Sequence, residues 1–151
     1  MLLYNTNDYV VQKVIVNKMA IIDLIKIIDD KYVITAGIDA KIRIWNIETE
    51  KLICKFEAHT YSTLFMAYHK EFVFSYGYDM RLSKYNFKTK QLEVSIIADN
   101  QMSSLKLLKT AEEPNKLKLA AGFINGQIIL YDLNLNELKS YNIKAANEEV
   151  I

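Results

Sequence analysis

His59, Ser75 and Asp79 are the residue types of a hydrolytic triad, in which a carboxylate orients an imidazole and the imidazole activates a hydroxyl. That chemistry also needs an oxyanion hole, usually backbone N–H groups in a Gly-rich turn or at a helix start. The chain has no Gly-x-Ser-x-Gly elbow, and Ser75 lies inside the β-rich run FVFSY, where its hydroxyl would be covered. These features do not complete a catalytic site, so no catalytic residue is assigned.

Metal and phosphate chemistry find less support. His59 and His69 are the only histidines, expected in a loop and at a strand end, with no cysteine pair to complete a zinc site. Asp29-Asp30 and Glu112-Glu113 are turn charges without the alternating carboxylates of a calcium loop. Gly122-Phe123-Ile124-Asn125-Gly126 lacks the lysine and the following helix of a phosphate loop, and reads as a hairpin turn. No metal and no cofactor is expected.

The bulk numbers narrow the class. With 51% hydrophobic and 25% charged residues over 151 positions, the chain can bury a core and is not a disordered segment. A formal net charge of +1 offers no general attraction for nucleic acid or an anionic membrane. Cys54 is the only cysteine, so no internal disulfide can form, and its place between Leu52 and Phe56 on one strand face suits a small buried residue. The opening MLLYNTNDYVVQK has no signal-peptide pattern, and the apolar window Met19 to Ile28 is broken by Asp23 and Lys26. An intracellular setting, cytoplasmic or nuclear, is expected.

The elements that must hold these side chains repeat. A shift of about 40 residues brings Gly37 onto Gly77, Asp39 onto Asp79, Trp45-Asn46 onto Tyr85-Asn86, and Leu52 onto Leu92. A third copy with Gly122, Tyr131-Asp132 and Leu138 follows at an offset of about 45 or 46. Each copy contains four short β-rich runs: IIDLIKI, YVITA, KIRIW and LICKF, then STLFMAY, FVFSY, RLSKY and LEVSI, then SSLKLLK, LKLAA, QIILY and LKSYNI. In KIRIW, Ile42 and Ile44 face one way while Lys41, Arg43 and Trp45 face the other. The third copy's extra residues fall mainly in Thr110 to Lys116, around Pro114, where a hairpin loop tolerates insertion.

The runs YVITAGIDAKIRIWN, FVFSYGYDMRLSKYN and AAGFINGQIILYDL, each with a turn before the third strand and an aromatic-Asn/Asp pair closing it, resemble WD repeats. The resemblance implies an all-β propeller arc of about three and a half four-stranded antiparallel blades in an incomplete ring. Blades are expected over 18–57, 58–97 and 98–143, with residues 1–17 ending one cut blade and 144–151 beginning another. Val11 to Ile15 and Glu149-Val150-Ile151 supply strands of those cut blades.

In that family a His, a Ser or Thr, an Asp and an aromatic hold each blade together. The resemblance therefore implies a structural network of His59, Ser75, Asp79 and Tyr85 in the second copy, and of Thr35, Asp39 and Trp45 in the first. Met19 stands at the first copy's histidine position. The third copy keeps Asn125 and Tyr131, with Asp99 and Ala120 at the other two places. Propellers that read phosphoinositides carry paired arginines, and those that dock on ubiquitin-ligase adaptors often carry an arginine two residues after Trp-Asp. Arg43 and Arg81 are not adjacent, and Glu48, Lys88 and Asn134 occupy the second position.

The loops into each first strand and those between second and third strands would share one rim. There Ile38, Tyr61, Tyr78, Met80 and Phe123 are the candidate contacts for other proteins or peptide segments. The expected function is a non-catalytic protein-binding scaffold, a fragment of a larger propeller. The alternative is an assembly subunit whose half propeller is completed by another chain or by self-association; a Ser/His/Asp hydrolase stands behind both.

Overall fold

The computed structural model describes residues 2–4, 11–14, 22–28, 30–109, 111, 113 and 115–143. Expectations attached to Ile15, Met19, Ile21, Asp29, Thr110, Glu112, Pro114 and Glu149 to Ile151 lie outside the described residues. The described residues form strands and no helix. β1 (Leu2–Tyr4) and β2 (Val11–Val14) pair antiparallel. Three four-stranded antiparallel sheets follow, each taking its strands in chain order. The first holds β3 (Ile22–Ile28), β4 (Tyr32–Gly37), β5 (Lys41–Asn46) and β6 (Leu52–Glu57). The second holds β7 (Thr63–His69), β8 (Phe72–Gly77), β9 (Arg81–Asn86) and β10 (Gln91–Ile97). The third holds β11 (Met102–Lys109), β12 (Leu117–Phe123), β13 (Gln127–Tyr131) and β14 (Glu137–Asn142).

The repeat extends to the irregularities. The first pairing in every sheet shifts register near its start, between Ile22 and Leu24, Thr63 and Phe65, and Met102 and Ser104. The last pairing shifts between Ile44 and Trp45, Leu92 and Val94, and Leu130 and Tyr131. β1 and β2 carry the corresponding shift between Leu3 and Tyr4. Bulges sharpen strand twist, so their recurrence gives each sheet the same shape.

Alternation along β8 shows how the sheets stack. Val73 points to a cluster with Ile34, Ile42, Ile44 and Cys54 of the first sheet. Phe74 and Tyr76 point the other way, into a cluster with Leu105, Leu119 and Ala121 of the third. Val73, Phe74 and Tyr76 are fully buried, and burying a side chain of this kind stabilises by about 1.5–3 kcal/mol. Polar contacts cross the same seams. The Tyr76 hydroxyl accepts from Met102 N at 3.2 Å, and Lys84 Nζ donates to Asn134 Oδ1 at 3.2 Å while pairing with Glu93 at 2.9 Å. Cys54 is buried, and burial pushes its thiol pKa up to about 11, so it packs as an inert residue. No described helix is long and apolar enough to cross a membrane.

Candidate functional site

The turn between the second and third strands has one design in all three sheets. Ala40, Met80 and Gly126 each donate a backbone bond to the residue three before it, at 3.2, 3.0 and 3.1 Å, and each has positive φ. This is a type I turn closed by a left-handed residue, a common hairpin connection. The residue before the left-handed one is Asp39, Asp79 or Asn125, and its side-chain oxygen accepts from Lys41, Arg81 or Gln127 N at 3.4, 3.2 and 3.1 Å. The opposite end repeats this logic with Asn46, Asn86 and Asp132, which accept from the turn amides of Thr49, Thr89 and Asn134. The Asn or Asp after each aromatic thus holds the turn to the fourth strand.

In the second sheet the Asp79 carboxylate reaches further. Its Oδ1 lies 2.9 Å from His59 Nδ1, and Ser75 Oγ lies 2.8 Å from His59 Nε2. Its Oδ2 accepts from Thr60 N at 3.0 Å. The His59 ring is wholly buried, and burial lowers its pKa below 6.5 against the opposing pull of Asp79. Burial works to raise the Asp79 pKa, but the Thr60 and Arg81 amides and the His59 ring outweigh it and hold the carboxylate ionised. A neutral imidazole beside a carboxylate must donate from Nδ1, leaving Nε2 to accept from the Ser75 hydroxyl.

These are the pairings of a serine triad, with both Ser75 and the His59 ring buried. What the arrangement does is join the connection entering β7 to strand β8 and to the next turn. Gly77 leaves room for it, because a Cβ there would meet His59 Cγ at 2.6 Å.

The resemblance implies Tyr85 as the aromatic of this network, but its hydroxyl donates to Ala58 O at 2.8 Å and its ring centroid lies 4.8 Å from that of Phe56. A phenol carries its O–H at the far tip of the ring, whereas an indole N–H projects from the side. Tyr85 therefore reaches beyond Ser75. Trp45 illustrates the difference, since its Nε1 donates to Thr35 Oγ1 at 2.9 Å within the first sheet. Asp39 there forms a bidentate pair with Arg43, which is itself buried. Burial acts to raise the Asp39 pKa, yet Arg43 and the Lys41 amide hold it low.

In the third sheet Tyr131 is buried, and burial, with Glu137 and Asp99 nearby, pushes its pKa up to about 12. Ala120 is not the residue at the serine position. Ala121 pairs with Ile129 where Ser75 pairs with Ser83 and Thr35 with Arg43, so the equivalent lies one residue later.

That one-residue correction also changes the rim. Phe123 ends β12, is 5% exposed and belongs to the core between the second and third sheets. The exposed position is Ile124, at 68%, which shares the first turn place with Ile38 at 52% and Tyr78 at 60%. Tyr61, in the connection entering β7, is 63% exposed. Met80 is half-buried against the same core. Ile38, Tyr61, Tyr78 and Ile124 thus occupy loops at one end of the sheets. An offset of about 45 from Tyr78 lands on Phe123 and one of about 46 on Ile124, so the repeat alone left the two undecided. Arg43 as the partner of Asp39 carried no signal from the repeat.

No family model matches the chain, and no curated protein matches it in sequence. Solved structures match it in shape. The structure of U3-55K superposes with a TM-score of 0.74 at 13% identity, over 86% of this chain and 42% of that one. The crystal structure of RRP9 WD40 repeats gives 0.73 at 13% identity, over 86% and 41%. The chain therefore spans less than half the length of these structural neighbours. In fold it is a β-propeller arc like those of these WD40-repeat structures, built of four-stranded antiparallel blades in a ring that does not close on itself.

Proposed function

We propose that this arc is a non-catalytic scaffold that binds protein segments through the rim bearing Ile38, Tyr61, Tyr78 and Ile124. The observation that carries the reading is their exposure, 52–68%, on turns held by repeated backbone and Asp/Asn hydrogen bonds. Large apolar side chains on rigid turns lose little conformational freedom when a partner covers them. Peptides selected from a random library against the chain are expected to bind at least about tenfold more weakly when Tyr61 and Tyr78 become serine, since buried aromatics dominate such contacts. Selected peptides that ignore both substitutions, and those at Ile38 and Ile124, would place the binding surface elsewhere.

A second reading, that further blades from this or another chain extend the arc, is favoured by the third sheet's outer face. Ile34, Ala36 and Ile42 of the first blade, and Phe74, Tyr76 and Leu82 of the second, are fully buried. Their register counterparts Ala120, Gly122 and Ile128 are half-exposed, and Leu138 beside them is exposed. Apolar sheet faces of this kind are normally covered by a neighbouring blade.

A further inference from the structure

The end of the arc opposite that rim holds a groove of about 460 Å³ between the first and second blades, lined by Lys31, Tyr32, Lys70, Glu71, Phe87 and Lys88. Its apolar wall is the ring pair Tyr32 and Phe87, whose centroids lie 5.7 Å apart. Its three lysines come from three different turns: Lys31 before β4, Lys70 before β8 and Lys88 after β9. The turns are fixed by hydrogen bonds from backbone amides. Lys31 O accepts from Ile47 N at 2.8 Å, Glu71 O accepts from Phe87 N at 3.0 Å, and Asn86 Oδ1 accepts from Lys88 N at 3.0 Å.

Several lysines elsewhere on the chain are neutralised locally. Lys41, Lys55, Lys84, Lys116 and Lys118 pair with carboxylates. Among the described residues, Lys31, Lys70 and Lys88 have no carboxylate partner, and Lys31 Nζ sits 5.6 Å from the Tyr32 ring centroid. Glu71 on the wall and Asp30 in the adjoining turn are the nearby opposing charges. Opposing charge also interrupts the basic patch. Glu48 and Glu50 follow in the first blade's last turn, and Glu113 and Asp132 occupy the corresponding end of the third.

We propose that this groove binds an acidic protein segment, with an apolar side chain resting on Tyr32 and Phe87 and flanking carboxylates meeting Lys31, Lys70 and Lys88. A nucleic acid fits less well. A long polyanion gains from an extended, unopposed basic track, whereas here Glu71 opposes the lysines on the groove wall, Glu48 and Glu50 follow beside it and the formal net charge is +1. The site is independent of the rim proposed above, which lies at the other end of the blades.

Fluorescence anisotropy with a labelled peptide of alternating Glu and Phe, titrated with the 151-residue chain, tests this. Saturable binding that weakens with added salt is expected. Reversing Lys31, Lys70 and Lys88 to Glu should weaken it by more than about tenfold, while Glu71→Gln strengthens it and Tyr61→Ser with Tyr78→Ser leaves it unchanged. These lysines are exposed, so melting by circular dichroism should match the parent. If the triple variant does not fold, Lys88→Gln and Lys31→Gln singly should each cost about threefold. Absence of binding, indifference to the lysine changes, or tighter binding of an oligouridylate than of the peptide would overturn the proposal.

Discussion

Asp79 gathers donors from three separate residues: the His59 ring and the amides of Thr60 and Arg81 all converge on it. Asp79→Ala would strand them, and a loss of about 1–3 kcal/mol is expected by urea denaturation. An unchanged midpoint would sink the structural role given to the network. The same cluster sets a pH dependence. His59 has a folded pKa below 6.5, so the unfolded chain takes up its proton first as pH falls. Its contribution is complete above pH 6.5 and is lost as pH drops through the folded value; Asp79, lowered from 3.8, adds its own loss only at more acidic pH. Denaturation midpoints should therefore fall between about pH 7.5 and about pH 5.5, and His59→Gln should flatten that change. Gly77→Ala should also destabilise, because its methyl would sit within 3 Å of a ring enclosed by Ser75 and Asp79.

Strands and turns carry a different class of expectation, since one position can be compared across three copies. Lys84 occupies the place held by Ile44 and Leu130 and is buried, with its ammonium on Glu93 and Asn134 and 4.1 Å from the Phe72 ring centroid. Replacing a buried ion pair by an apolar residue of similar volume is often neutral, and Glu93 keeps Asn86 as a partner and partial access to water. Lys84→Ile should thus change stability by less than about 1 kcal/mol, and a loss well beyond that would mean the Lys84 link joins the second and third blades. Thr63, at the start of β7, presents the opposite case. Its Oγ1 is buried without a hydrogen-bond partner, so Thr63→Val should raise the melting temperature. A lower melting temperature would show that the hydroxyl is satisfied in solution.

At the scale of the whole arc, the stacking rule that explains the core also explains what is left open. The second blade buries both faces because it has neighbours on both sides, whereas β14 is exposed along its entire length. Apolar burial is non-directional and tolerant of salt. Light scattering on the isolated chain should therefore show salt-insensitive association, and Ile128→Lys with Leu138→Lys should return it to monomer. A uniform monomer of the unsubstituted chain would remove the observation that favours the second functional reading.

Sequence alone settled what local periodicity can carry. Four alternating runs per repeat, turn residues between them and an aromatic-Asn/Asp pair after the third are short-range features, and strands and sheet order followed them within a residue or two. The His59, Ser75 and Asp79 cluster was legible through the resemblance to WD repeats, which implies a linked His, Ser or Thr, and Asp at these places. Tertiary structure decided whatever depends on one residue of parity or on contacts between blades. Phe123 and Ile124 are adjacent and both apolar; only the extra residue of β12 turns one into the core and the other toward solvent. Tyr85 and Trp45 stand at one repeat position, but the direction of their donors sends them to different acceptors. Lys31, Lys70 and Lys88 share no motif, and they meet only because stacking brings three turns from two blades around one pair of rings. Periodicity encodes where backbone goes, while side-chain neighbours across a blade seam are set by shape and distance, which no single repeat contains.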